Sequence, residues 1–296
     1  LPDSPTTKAG SSPAKNAAKA SDSQTIKSLP GFRVTQLHSV NKKTEGSWTS
    51  MCFDDHGKLY VCDQYASLYR ITLKNCKIAN KEALASPGKA QGLCWAFGSL
   101  YLNSHTHKVS GLYRLTDTNI DGSFDKTEHI IPLPLGGEHG PHGIVKTADG
   151  KGLYVVLGNH TPAPATATST SKKNWAEDTL HPHLPDARGH DSHVKAPGGT
   201  LLRISPDGKK QEIISSGMRN TYDIALSPTG DIFGYDSDME YDIGSPWSKP
   251  TRVLHLIDGA DFGRRPGTAT WPASSVDSPG SANDLVPASP TSPPSR

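Results

Sequence analysis

The sequence predicts an all-β protein assembled from repeated small sheets. Three observations support this prediction. Glycine (28 residues) and proline (24 residues) are abundant, hydrophobic residues make up only 34% of the 296 residues, and a pair of strand-like segments recurs along the chain. Such a composition suits many short strands joined by turns and argues against a helical bundle.

Each repeat consists of a turn, a strand, a second turn and a second strand. The first strands contain Tyr60, Tyr101, Tyr154 and Phe233, which are 41, 53 and 79 residues apart. The second strands of the first three repeats contain LYRI (68–71), LYRL (112–115) and LLRI (201–204). Paired strands in units of about 40–50 residues are typical of β-propeller blades, and a β-sandwich does not explain the recurring pair. We therefore predict a β-propeller with about four recognisable blades.

The chain divides by composition into three parts. Residues 1–28 have almost no large apolar side chain and are expected to be disordered. Residues 29–272 form the predicted propeller, which carries a loop insert at 160–199 rich in Pro, Ala, Thr and His. We interpret that insert as a partly ordered lid. Residues 273–296 are rich in Ser and Pro, as expected for a second disordered tail.

Charge and hydropathy exclude two classes of function. The net charge is +2 and no basic stripe exists, so nucleic-acid binding has no support. No apolar run approaches the roughly 18 residues that a membrane helix needs. The four cysteines are interpreted as small buried hydrophobic residues, with a Cys52–Cys62 or Cys76–Cys94 disulfide as the alternative in an oxidising compartment.

The turn GGEHGPHG, residues 136–143, presents two histidines before the third repeat. Imidazole titrates near neutral pH, and a neighbouring carboxylate raises its basicity. His139, preceded by Glu138, and to a lesser extent His142 are therefore candidate functional residues. The alternative is that each histidine is a turn residue bonded to the backbone.

Four acids occupy alternate positions after the fourth repeat: Asp236, Asp238, Glu240 and Asp242. In an extended segment all four carboxylates would share one side, where they repel one another unless a cation or arginines lie between them. The pair Arg219–Asn220 precedes them, and Arg252, Arg264 and Arg265 follow. We predict a site here, with a solvated loop held by ion pairs as the alternative.

The segment 117–128 fits the twelve-residue calcium loop D-x-[DN]-x-[DN]-G-x5-E. Oxygen ligands would come from Asp117, Asn119, Asp121, Ser123, Asp125 and Glu128. The flanking segments are strand-like rather than helical, so an acidic turn without a bound ion is the alternative.

The insert carries further polar residues that could ligate a transition metal. These are His181, His183, His190, His193, Asp186 and Asp191. Their spacing is not diagnostic, and a polar loop is the favoured interpretation.

The motifs GMRN, DSDMEYDIGSPW, PTRVLH and GADFG resemble those of soluble pyrroloquinoline-quinone (PQQ) sugar dehydrogenases of the glucose/sorbosone type. The resemblance runs from about Pro30 to Trp271 and is greatest to a planctomycete group known as membrane-bound dehydrogenases. That family has six blades, whereas about four are recognisable here. The resemblance therefore implies that the chain is truncated at its C-terminal side or closes irregularly.

The resemblance also implies an activity, namely hydride transfer from a sugar or alcohol hydroxyl to PQQ, assisted by Ca²⁺. It implies His139 as the base and Glu138 as its orienting partner. Cofactor contacts would come from Gln91, Asn159, Arg219 and Asn220, and calcium would bind near Asp236, Asp238 and Glu240. A haem domain or cytochrome would accept the electrons, and the location would be periplasmic or secreted.

Two other functions fit the same sequence. One is a non-catalytic, calcium-stabilised binding or scaffold propeller, because propellers host many functions. The other is a calcium-dependent lactonase-type hydrolase, in which the acids would hold a metal ion with a bound water.

Overall fold

The computed structural model describes most of residues 26–262. The described ranges are 26–65, 67–84, 87–105, 110–134, 137–170, 194, 197–237, 241–242, 245–246 and 251–262. Outside these residues lie most of the predicted N-terminal tail, the whole predicted C-terminal tail, most of the insert with its four candidate histidines, the acids Asp238 and Glu240, and Arg264 and Arg265. No helix in the described ranges is long and apolar enough to cross a membrane.

Four of the sheets formed by the described residues are arranged as propeller blades, which confirms the predicted all-β propeller. Blade 1 comprises β1 (Trp48–Phe53), β2 (Lys58–Asp63), β3 (Leu68–Lys74) and β4 (Lys77–Leu84). Blade 2 comprises β5 (Ala90–Ala96), β6 (Ser99–Ser104), β7 (Gly111–Thr116) and β8 (Lys126–Pro132). Blade 3 comprises β9 (Pro141–Lys146), β10 (Leu153–Leu157), the short β11 (Thr168–Ser169), β12 (Gly199–Ile204) and β13 (Gln211–Met218).

Blade 4 differs from the other three because its described part has three strands. They are β14 (Thr221–Leu226), β15 (Ile232–Ser237) and β18 (Thr251–His255). A two-stranded ladder, β16 (Tyr241–Asp242) with β17 (Ser245–Pro246), lies in the connection between β15 and β18. In blade 3, β11 adds to the outer strand β13 in parallel.

The recurring sequence pair corresponds to the second and third strands of each blade. In blade 1, Tyr60 on β2 lies opposite Arg70 on β3, which lies opposite Glu82 on β4. The same cross-strand row recurs as Tyr101–Arg114–Glu128 in blade 2 and Tyr154–Arg203–Glu212 in blade 3. Directly opposed side chains are the neighbours that stabilise a sheet, so the periodicity of the sequence reflects this row.

The arginines of this row also join neighbouring blades. Arg70 of blade 1 donates to the carbonyl of Gly122, in the turn between the third and fourth strands of blade 2. Arg114 of blade 2 donates to the carbonyl of Pro206, in the corresponding turn of blade 3, at 3.3 Å. Each of these turns is therefore fastened to the blade before it.

Apolar side chains fill the spaces between successive blades. Three clusters of buried residues lie between blades 1 and 2, 2 and 3, and 3 and 4. A fourth covers the other face of blade 1, where His38 stacks on Trp48 with ring centroids 5.0 Å apart. The four cysteines are free; Cys62 is buried and Cys76 is exposed, so the disulfide alternative is not what the structure has.

The first strands β1, β5, β9 and β14 are neighbours and line the propeller axis. Because successive strands are antiparallel, these strands all start on one face, which we call the site face. The connections between second and third strands lie on the same face. The turns between third and fourth strands, including residues 117–125, lie on the opposite face.

We predict that replacing Ile120 with Asn raises the free energy of unfolding by about 0.5–1 kcal/mol. Ile120 has φ 59° and is 88% exposed, so a β-branched residue occupies a left-handed conformation with little packing to lose. Asn tolerates that conformation. Urea denaturation in the presence of a calcium chelator measures the change.

Leu29→Asn is the control, because Leu29 is also exposed but does not have positive φ. Its stability should change by less than about 0.5 kcal/mol. A loss of stability in Ile120→Asn would show that the side chain has packing that outweighs its backbone strain.

Candidate functional site

The site face brings together residues from the starts of the first strands and the ends of the second strands. Gln91 lies at the start of β5, His142 at the start of β9, and Asn220 just before β14. Asn159 follows the end of β10. Residues far apart in sequence thus meet at the axis because each blade repeats the same strand order.

His139 is held in a fixed orientation at this face. Its side chain is buried, with the residue only 4% exposed, and Nδ1 lies 2.6 Å from Asn159 Oδ1. The ring stacks on His160 with centroids 4.2 Å apart. Glu138 Oε1 lies 3.5 Å from Nε2, and the Glu138 side chain is 65% exposed. If Nδ1 donates to the Asn159 amide oxygen, Nε2 carries the lone pair and is the ring atom that can accept a proton.

A chain of hydrogen bonds links His139 to blade 4. The backbone N–H of Asn159 donates to the carbonyl of Arg219 at 2.7 Å. The backbone N–H groups of Arg219 and Asn220 lie 3.4 and 2.9 Å from the carboxylate of Asp236. The structure therefore joins the loop histidine, the Arg–Asn pair and the first of the alternating acids in one network.

Asp236 is fully buried and surrounded by donors. Oδ1 accepts from the Thr221 hydroxyl at 3.0 Å as well as from Asn220 N–H, and Oδ2 lies 3.4 Å from Arg252 Nη2. A cation at this carboxylate would have to displace Arg252 or the backbone donors. The contacts of Asp236 within the described residues are those of an anchor for the Arg219–Asn220 turn.

Arg219 is a buried residue, and its guanidinium lies beside the end of β15. Nη1 lies 3.3 Å from the carbonyl of Ser237 and 3.4 Å from its hydroxyl. The guanidinium therefore lies on the site face, beside Ser237 at the end of β15.

His142 is more deeply enclosed than His139. It is 2% exposed, Nε2 lies 2.7 Å from Asn220 Oδ1, and its ring packs against Tyr222 with centroids 4.8 Å apart. The pKa of His142 is lowered to about 4, chiefly by burial; the hydrogen bond to Asn220 opposes this shift, and the neighbouring His105 adds to it. His142 is therefore neutral near pH 7.

Several buried polar atoms near this network lack a hydrogen-bond partner among the described residues. They include Oε1 of Gln91, Oδ1 of Asn103 and Nδ1 of His142. A buried acceptor without a donor is costly, so a ligand or water with an N–H or O–H group would be favoured there.

Sequence reasoning did not single out His105 or Tyr222, and it gave His160 only a minor role. His160 follows Asn159 in the short GNH segment, which the pattern of the repeat places at the end of a second strand. His105 follows directly after β6, where alignment of the repeats pairs it with Gly158 rather than with His160, so the repeat does not indicate either histidine.

Glycines allow the blades to approach closely at the network. A Cβ atom at Gly92 would collide with the carbonyl oxygen of His142. A Cβ atom at Gly158 would lie 2.7 Å from the carbonyl oxygen of His139 and 2.8 Å from Asn220 Oδ1. These positions require glycine because the backbone of His142 and His139 and the side chain of Asn220 already occupy the space.

The predicted calcium loop lies on the opposite face. Asp117 accepts from the backbone N–H groups of Asp121 and Gly122 at 3.2 and 2.7 Å. Asp125 binds the backbone of Thr118 at 2.7 Å. Glu128 on β8 instead pairs with Arg114 Nε and Nη2, at 3.0 and 2.7 Å. Among the described residues, no group of three or more His, Cys, Asp or Glu side chains is placed to hold a metal ion.

Known structures share this fold. Two structures from Trichoderma reesei belong to carbohydrate-active enzyme family AA12. The first, a calcium structure, is 15% identical with a TM-score of 0.50, covering 73% of this chain and 55% of that chain. The second, an iodide structure, is 16% identical with a TM-score of 0.53, covering 77% and 57%. This chain spans little more than half the length of those chains.

The PQQ-bound aldose sugar dehydrogenase of Streptomyces coelicolor is also similar. It is 16% identical with a TM-score of 0.45, and the match covers 73% of this chain and 62% of that chain. At these identities the similarity concerns the fold. No protein-family model matches the chain, and no curated protein matches it in sequence.

We predict that Gly158→Ala disturbs the site and costs about 1–3 kcal/mol of stability, because the added methyl group would press on His139 O and Asn220 Oδ1. Thermal unfolding and a crystal structure of the variant measure the two effects. Gly57→Ala is the control for adding a methyl group to a glycine. Nothing lies within 4 Å of the Cβ position of Gly57, but its positive φ adds backbone strain. Gly57→Ala is therefore expected to lose stability while the contacts of His139 and Asn159 stay unchanged. An unchanged His139–Asn159 distance in Gly158→Ala would contradict the prediction.

Proposed function

We propose that this protein is a PQQ-dependent dehydrogenase that oxidises a hydroxyl group of a sugar or another alcohol at the site face. The observation that carries the proposal is the buried His139, oriented by Asn159 and joined through it to the Arg219–Asn220 turn. The sequence resemblance supplies the cofactor. The fold shared with carbohydrate-active enzymes of family AA12 fits a sugar substrate.

The residues present fit the cofactor in three respects. Gln91 offers a buried acceptor without a donor. Arg219 offers a guanidinium, which suits carboxylate and quinone oxygens. Asn220 offers amide donors beside it. When bound, PQQ would supply the quinone that accepts a hydride from the alcohol carbon.

The chain itself would manage the proton. Nε2 of His139 would accept the proton of the substrate hydroxyl, while the Asn159 amide oxygen keeps the Nδ1 proton in place. The carboxylate of Glu138, 3.5 Å from Nε2, would stabilise the resulting imidazolium. Asn159 thus takes the orienting role that the resemblance gave to Glu138, and Glu138 acts on the other ring nitrogen.

Calcium is part of the proposal in a structural role on the opposite face. Oxygen atoms of Asp117, Asn119, Asp121 and Asp125, with the carbonyl of Ser123, lie in one short turn whose Gly122 has φ 89°. Arg70 fastens this turn to blade 1 through Gly122. The carboxylates of this turn bond its own backbone and are not grouped around an ion. A Ca²⁺ ion would bind only after they rearrange, and it would then stabilise the junction of blades 1 and 2. Glu128 would join the ion only by leaving Arg114. Calcium near Asp236, Asp238 and Glu240 stays a prediction of the resemblance.

We predict that the purified chain, mixed with PQQ and Ca²⁺, binds the quinone so that its absorption co-elutes with the protein. His139→Gln should retain the bound quinone and lower turnover with an aldose at least about 100-fold, because the general base is lost. His129→Gln, a change at an exposed residue of β8 away from the site face residues, is the control and should be neutral.

Failure of the wild-type chain to bind micromolar PQQ would remove the proposed cofactor and favour a binding propeller. Unchanged turnover in His139→Gln would remove that residue from the role of base.

We predict that Ca²⁺ at about 100 times its dissociation constant raises the melting temperature by about 5 °C or more, because it binds only the folded chain. Asp117→Asn should abolish the shift. Asp207→Asn, in the corresponding turn of blade 3, should leave it intact, because Asp207 makes similar turn contacts without the other acids. An equal shift in both variants would place the calcium elsewhere.

A further inference from the structure

We propose that His142 is a positioning residue that fixes the Asn220 side chain, so that its NH2 group faces the ligand. The site would then select ligands with carbonyl or carboxylate oxygens at that point. The inference rests on the proposed function only where it takes PQQ as the ligand. The hydrogen bond between His142 and Asn220 is a property of the protein alone.

The environment of His142 determines where its proton lies. The ring is neutral near pH 7, so only one nitrogen carries hydrogen. Nδ1 is buried without a partner, whereas Nε2 lies 2.7 Å from Asn220 Oδ1. A buried N–H without an acceptor is rarer than an unpaired acceptor. The proton therefore belongs on Nε2, which donates to the Asn220 oxygen.

This bond fixes the orientation of the Asn220 amide. With Oδ1 facing His142, the NH2 group points the other way. The nitrogen of this NH2 group makes no hydrogen bond to the described residues. It is also not one of the fully buried polar atoms. Gly158 lies against the oxygen side, where a Cβ atom would be 2.8 Å from Oδ1. The two amide protons are thus available to a ligand at the site face.

His142 and Asn220 are each also held by contacts other than the hydrogen bond between them. Asn103 donates through Nδ2 to the backbone carbonyl of His142, and Tyr222 packs on its ring. The backbone N–H of Asn220 is bonded to the buried Asp236 at 2.9 Å. Neither side chain can turn without breaking a buried contact, so the donor direction is set before a ligand arrives.

The oriented amide has a consequence for ligand chemistry. An NH2 group bonds carbonyl and carboxylate oxygens, and it leaves an incoming N–H group unpaired. The adjacent Arg219 is also a donor without acceptor capacity. The two side chains of this dipeptide would therefore recognise an oxygen-rich, anionic planar ligand. PQQ, with its carboxylates and quinone carbonyls, is such a ligand.

The first test needs no ligand. In the ¹⁵N-labelled chain, the His142 ring should appear as the Nε2–H tautomer and should not titrate between pH 5 and 8. The signal is assigned by its loss in His142→Gln. Titration in that range, or an Nδ1–H tautomer, would overturn the proposed positioning.

The second test measures PQQ binding to the whole chain in the presence of Ca²⁺. His142→Gln should bind nearly as well as wild type, because its amide can donate to Asn220 from the place of Nε2. His142→Leu should bind about three- to tenfold more weakly, the effect of one lost hydrogen bond. His129→Leu is the matched control and should bind as wild type.

Equal weakening in His142→Gln and His142→Leu would show that the ring acts only by filling space, and would overturn the inference. If the wild-type chain binds no PQQ, the proposed cofactor fails. In that case the tautomer spectrum alone decides whether His142 orients Asn220.

Discussion

The buried carboxylate of Asp236 is the interaction on which the site depends. It has no solvent contact, and it is surrounded by two backbone N–H groups, the Thr221 hydroxyl and Arg252. A buried charge without such partners would be strongly destabilising. Through the turn that it anchors, Asp236 reaches His142 by way of Asn220, and His139 by way of Arg219 and Asn159. One carboxylate on the fourth blade thus sets the positions of two histidines on the third.

The cross-strand row of Tyr, Arg and Glu explains both a success and an ambiguity of the sequence analysis. The repeat could be predicted because the row places similar residues at similar positions in the first three blades. The last position of the calcium pattern, Glu128, is also the blade 2 member of this row and is paired with Arg114. A residue that the pattern assigns to a metal thus has a structural partner, which only the pairing of β7 with β8 reveals.

The contacts within the candidate site could not be predicted to the same extent. The residues were identified one by one, from short motifs and from the family resemblance. The contact between His142 and Asn220, which are 78 residues apart on different blades, depends on the angle between blades, and no local pattern encodes it. His139 and Asn159 are 20 residues apart and continue the register of β9 and β10, in which Pro141 lies opposite Leu157, so their pairing becomes visible only once that register is known. What the sequence does contain is the cause of their approach, the glycines at 92 and 158, whose purpose becomes clear only when the neighbouring atoms are known.

The nature of the group at Nδ1 affects how strong a base His139 can be. An amide oxygen orients the ring but carries no charge, so the electrostatic support for an imidazolium must come from Glu138. That carboxylate is largely exposed, and water screens its interaction with the ring. A planar ligand that covers the site face would exclude this water and strengthen the pair without moving either residue. Within the proposed function, His139 would therefore become a competent base only when cofactor and substrate are in place, which limits unproductive proton transfer in the free protein.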